Sequence, residues 1–79
     1  MAHKTTIQYI EKISKDFPNG QYFKVKVNPQ TTGGFWSIEI DCSERTHVIK
    51  EIEHFSRFVG HMFGENVCMD VKNNILKIW

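Results

Sequence analysis

Three histidines, His47, His54 and His61, recur seven residues apart, and two cysteines, Cys42 and Cys68, lie on either side of them. Imidazole and thiolate are the side chains best suited to ligate a metal or to act as base and nucleophile, so their spacing decides which chemistry is open. Seven residues of helix span about 10.5 Å along the axis. That is too far for one ion, whose ligands on a single helix must be three or four residues apart to share a face. Each histidine immediately precedes an apolar residue (Val48, Phe55 or Met62), so the three read as the semi-exposed edge of an amphipathic helix. A pH-sensitive contact is the alternative reading of that edge. The cysteines form no Cys-x-x-Cys and no His-Cys cluster of zinc-like spacing. A Cys42/His47 dyad beside a helix N-terminus is one catalytic reading, yet the sequence offers no third group to orient it, and Cys42 reads instead as a structural thiol. Gly33-Gly34 lacks the Lys-Ser/Thr and the following helix of a phosphate loop. Glu51, Glu53 and Glu65 make no evident acid/base pair and read as solvated. No enzyme, cofactor or metal site is expected.

The elements that must position these residues follow from periodicity. Residues 5–17 predict a helix, with Thr5-x-x-Gln8 as a capping box and Ile7, Ile10, Ile13 or Ser14, and Phe17 on one stripe. Pro18-Asn19-Gly20 ends it. From Gln21 the period becomes two: Phe23, Val25 and Val27 alternate with Tyr22, Lys24, Lys26 and Asn28. After the Pro/Gly-rich stretch 29–34, Trp36, Ile38, Ile40 and Cys42 alternate with Phe35, Ser37, Glu39 and Asp41. These two runs predict a hairpin, one register of which sets Val25 opposite Ile40 and Lys24 opposite Asp41. Ser43 or Thr46 starts a second helix, in which Val48, Ile52, Phe55, Val59 and Met62 form the apolar stripe and Gly64 marks the stop. Residues 67–79 predict a tight hairpin on Asn73-Asn74, with pairs Val71–Leu76, Met69–Ile78 and Asp70–Lys77.

The order αββαββ makes the expected fold α+β: a single four-stranded antiparallel sheet with two helices on one face. An internal αββ duplication is suggested by Ile10-Glu-Lys-Ile-Ser-Lys15 against Ile52-Glu-His-Phe-Ser-Arg57 at an offset of 42. The expected core is Val25, Val27, Ile38, Ile40, Ile52, Phe55, Val59, Val71 and Leu76 with Ile10 and Ile13. Strand parity sends Cys42 towards the helices and Cys68 to the opposite face, so both are expected as free thiols.

At 79 residues, with 41% hydrophobic and 24% charged residues, the chain reads as one domain spanning 1–79. No apolar run suggests a leader or a spanning helix, and a cytoplasmic protein is the expectation. A net charge of +1 argues against binding nucleic acid or membrane by bulk charge. The open sheet face is more informative. It would carry Tyr22, Lys24, Lys26, Phe35, Lys72, Ile75, Lys77 and Trp79 together with Ser37, Glu39, Asp41, Cys68 and Asp70. A solvated face with so many large apolar groups resembles a binding surface. The reading is a small non-enzymatic interaction module, acting by binding or occlusion on a protein partner or on a second copy as a homodimer. A phage or mobile-element inhibitor of the anti-defence, anti-CRISPR type fits its size. The loop 28–34 is a second candidate surface. The alternative is single-stranded nucleic-acid binding, with the aromatics stacking bases and Lys24, Lys26, Lys72 and Lys77 meeting phosphates.

Overall fold

A computed structural model describes residues 2–29, 34–42 and 49–79, with Ile49 described by its backbone alone. The expected cap at Ser43 or Thr46, the side chains of Val48 and His47, and most of the loop 28–34 lie outside the described residues.

The chain starts with an element that periodicity does not show. Ala2–His3 is a two-residue strand, β1, which runs directly into helix α1, Lys4–Asp16. The helix therefore starts before Thr5, and the expected capping box does not form. His3 is the N-cap, extended at φ −73° and ψ 156°, and makes no side-chain cap. One of the helix's free N–H groups is met from elsewhere: Lys4 N–H donates to the Gly34 carbonyl at 3.2 Å. Ile7, Ile10 and Ser14 form the buried stripe. Ser14 can be buried because its hydroxyl donates to the Glu11 carbonyl at 2.6 Å.

At the end of α1 the backbone opens at Phe17, and Asn19 turns left-handed at φ 63°. Gly20 then donates its N–H to the Phe17 carbonyl at 2.7 Å. A Cβ on Gly20 would collide with the Ser14 carbonyl, so glycine is required for this reversal. A 3₁₀ turn, Gly20–Tyr22, leads into strand β2, Lys24–Pro29, and then β3, Phe35–Asp41. After helix α2, Ile49–Phe63, the chain forms β4, Met69–Lys72, and β5, Ile75–Ile78. The fold is α+β, two helices on an antiparallel sheet.

The sheet gains β1 as a fifth strand beyond the four expected. β2 follows β3 from Lys24↔Asp41 to Pro29↔Trp36, with Val25 opposite Ile40, one of the registers that alternation allows. β5 takes the other edge of β3 at Ile38↔Ile78 and Ile40↔Leu76, and β1 continues along that edge at Ala2↔Trp36. β4 closes the sheet through Met69↔Ile78, Asp70↔Lys77 and Val71↔Leu76. Asn73 and Asn74 both have positive φ, 54° and 64°, as a type I′ turn demands. Each hairpin thus turns its second strand to the centre, and β3 and β5 join the two αββ units antiparallel to one another.

Both helices cover the face that carries Ile38, Ile40, Leu76 and Ile78. Phe55 is fully buried between Phe17, at 5.1 Å between ring centroids, and Phe23, at 6.0 Å. Tyr9 in the middle of α1 meets Phe63 edge-on at 5.8 Å and Phe17 after its end meets Phe55, so the helices run antiparallel. The expected core is corrected at one position: Val71 has the right parity but is exposed near the turn end of the edge strand β4, whereas Met69 on the same face packs against the core. Met62, expected on the apolar stripe of α2, is exposed. No helix among the described residues is long and apolar enough to cross a membrane.

Candidate functional site

The register of the sheet assembles its open face in rows that cross the strands. One row reads Lys26–Glu39–Lys77–Asp70, four charges of alternating sign on four adjacent strands. The next reads Lys24–Asp41–Ile75–Lys72. Opposite charges in directly paired positions stabilise a sheet by about 0.2–1 kcal/mol each, so these rows first serve the sheet itself. Three of the four lysines expected as phosphate contacts in the nucleic-acid alternative, Lys24, Lys26 and Lys77, therefore stand opposite carboxylates. Lys72 stands opposite Ile75.

Ile75 is half-buried and lies between two surface depressions. Lys24, Val25, Lys26, Glu39 and Asp41 complete one, and Glu39, Asp70, Lys72, Asn73 and Lys77 the other. The aromatic end of the face is built around Phe35. His3 pairs directly with it across β1 and β3, and the two rings lie 5.0 Å apart. His3 entered no reading of the sequence as a surface residue, since a two-residue strand leaves no periodic trace. Trp79 is held beyond the end of β5 by two backbone bonds: Cys68 N–H donates to the Trp79 carbonyl at 2.7 Å, and Trp79 N–H to the Cys68 carbonyl at 3.0 Å. Lys77 Nζ sits 5.7 Å from the centre of its ring. Ser37, between Phe35 and Glu39 on the same strand face, is buried.

Seven of the eight residues expected on this face are placed there: Lys24, Lys26, Phe35, Lys72, Ile75, Lys77 and Trp79. Tyr22 is not. It belongs to the 3₁₀ turn before β2 and packs half-buried against the core, because the chain is still reversing from α1 at that point. A second apolar surface was not read from the sequence. Tyr9, Phe58 and Met62 are 48%, 41% and 47% exposed, more than Trp79 at 36%. Phe58 meets Phe17 with ring centroids 6.0 Å apart, and Tyr9 meets Phe63, so both rings belong to the contact between the two helical segments, while Met62 lies one turn beyond Phe58 on α2. The signal was present in the i, i+4 pair Phe58 and Met62, just beside the Phe55–Val59 stripe.

Among the described residues, the polar candidates for catalysis are not gathered into one cluster. Cys42 is buried on the helix side of the sheet and Cys68 is exposed, and both are free thiols. Burial, and then the neighbouring carboxylates of Asp41 and Glu51, push the Cys42 thiol up to about 11, opposite to what a nucleophile needs. Its proposed partner His47 lies outside the described residues. His54 and His61 are exposed, and His54 Nδ1 stands 3.8 Å from Glu51 Oε2 on its own helix. Among the described residues, no group of three or more His, Cys, Asp or Glu side chains could hold a metal ion. Comparison with known protein families, curated proteins and solved structures finds no match to this chain.

Proposed function

We propose that this chain is a non-catalytic protein-interaction module that seats a partner on its open sheet face and acts by occluding the surface it covers. The observation that carries this reading is the composition of the face in place. Phe35, Ile75 and Trp79 keep partial exposure between rows of charge in which both signs alternate. Aromatic and aliphatic anchors rimmed by mixed charges suit a protein surface. The same rows weigh against the nucleic-acid alternative, because a phosphate backbone would have to compete with Asp41, Glu39 and Asp70 for the lysines opposite them. The raised Cys42 thiol weighs against that residue as a nucleophile. An inhibitor of the phage or mobile-element kind is the finer form of this reading, since occlusion needs only a folded surface and no reaction.

The test is affinity capture from the native host with the wild-type chain, with Phe35→Ser, Ile75→Ser and Trp79→Ser, and with Phe58→Ser, each first checked by circular dichroism. The sheet-face variants should keep the fold and lose the wild-type partner by about ten-fold or more for at least one of them. Capture that vanishes on nuclease treatment or falls steeply with salt would transfer the reading to nucleic acid. Loss confined to Phe58→Ser would move the site to the exposed apolar side chains of the helices.

A further inference from the structure

The free edge of the sheet at β4 carries a self-complementary charge pattern. Cys68 and Trp79 exchange both backbone hydrogen bonds. Because antiparallel pairs alternate, Asp70 and Lys72 also direct their backbone groups at β5, whereas Met69 and Val71 direct theirs outward. Among the described residues no strand pairs with the outer edge of β4, so the outward backbone groups of Met69 and Val71 are left open there, beside the exposed side chain of Val71.

We propose that this edge pairs with the same edge of a second copy, in the antiparallel register that sets Val71 against Val71 and each Asp70 against Lys72 of the second copy. The alternatives that also match outward backbone groups are weaker. A shift of the partner one way opposes Asp70 to Asp70, and a shift the other way opposes Lys72 to Lys72. A larger shift leaves Asp70 opposite the neutral Cys68. In the chosen register the Asp70–Lys72 pairs occupy positions without mutual backbone bonds, where the Cα atoms approach to about 4.5 Å and side chains interact most closely. The charge row continues across the seam: Lys26, Glu39, Lys77 and Asp70 of one copy are followed by Lys72 of the other. The twofold contact uses the same strand on both copies, so assembly closes at the dimer. The opposite edge does not compete, since β2 carries only lysines as charged residues and ends in Pro29, which has no N–H to donate. This inference stands apart from what the open face binds.

Sedimentation of the full chain over a concentration series up to about 1 mM should show a reversible monomer–dimer equilibrium. Asp70→Lys and Lys72→Asp should each weaken the dimer about ten-fold or more, because two attractive pairs become two repulsive ones. An equimolar mixture of these two variants should form the mixed dimer, in which opposite charges face one another again, and native mass spectrometry would count one of each. Val71→Lys tests the same register without altering the position opposite Lys77, and should weaken association to a similar degree. A wild-type chain that stays monomeric throughout overturns the proposal. So does a mixture that associates no better than either variant alone.

Discussion

At the scale of single residues, Phe55 and Cys42 show how burial sets behaviour. Phe55 is fully enclosed, with Phe17 and Phe23 against its ring, and deleting it leaves a cavity that neighbours on two helices and the β2 entry must close. Phe55→Ala should cost about 3–5 kcal/mol in urea unfolding, a large part of what so small a domain has. A cost below about 1 kcal/mol would mean that the ring is not a core residue. For Cys42, the ordinary thiol value of 9.0 is raised to about 11 in the folded chain. The folded state then keeps a proton that the unfolded state gives up between these two values, so the Cys42 contribution is complete below pH 9 and is lost as pH rises towards 11. Alkylation of the native protein at pH 8 should label the exposed Cys68 and spare Cys42 until denaturant is added. Equal labelling of both in the native state would contradict the burial.

At the scale of elements, the Asn73-Asn74 turn fixes the register on which the rows of the open face depend. Both residues hold a left-handed backbone, and the Asn74 carbonyl also accepts the Cys42 N–H at 3.0 Å, fastening the turn to the end of β3. Asn73→Ala and Asn74→Ala should each cost about 1 kcal/mol or slightly more, because alanine lacks asparagine's tolerance of positive φ. Asn74→Gly should leave stability unchanged or higher, and thermal unfolding of the three variants ranks them. A rise in stability with either alanine would show that the turn is of another type. This hairpin and its register were legible in the sequence, since alternation fixes the face of every side chain and a two-residue turn fixes the pairing. The order of strands was not legible in the same way. Val71 has core parity and an exposed side chain, because parity records which face a residue is on and is silent about whether a helix reaches that far. Tyr22 was misplaced for a related reason: alternation around Phe23 was extended backwards into residues that were still turning. The open face was readable residue by residue. The exposed apolar side chains of Tyr9, Phe58 and Met62 depend on how two helices sit on the sheet, which no periodicity encodes.

At the scale of the whole molecule, the decisive contact is the seam between β3 and β5, which among the described residues alone joins the strands of the two αββ units within the sheet. Each unit supplies half of one core: Ile7, Ile10, Ile38 and Ile40 from the first, Ile52, Phe55, Val59, Leu76 and Ile78 from the second. The residues paired at the seam, Ile38 with Ile78 and Ile40 with Leu76, all lie on the helix-covered face and are fully buried. Separating the units would therefore expose the centre of the core and not its rim. Alone, the second unit is a two-stranded hairpin with one helix and the first adds only the two-residue β1, and chains of about 40 residues or fewer usually need a disulfide or a metal to hold together. Peptides covering 1–42 and 43–79 should accordingly lack a cooperative thermal transition when alone. Mixed in equal amounts they should regain helix and sheet signal with a midpoint that rises with concentration, since the seam then forms between molecules and follows mass action. A cooperative transition in either peptide by itself would show two independent cores. A mixture identical to the sum of its parts would show that the connection between the units contributes more than the seam does.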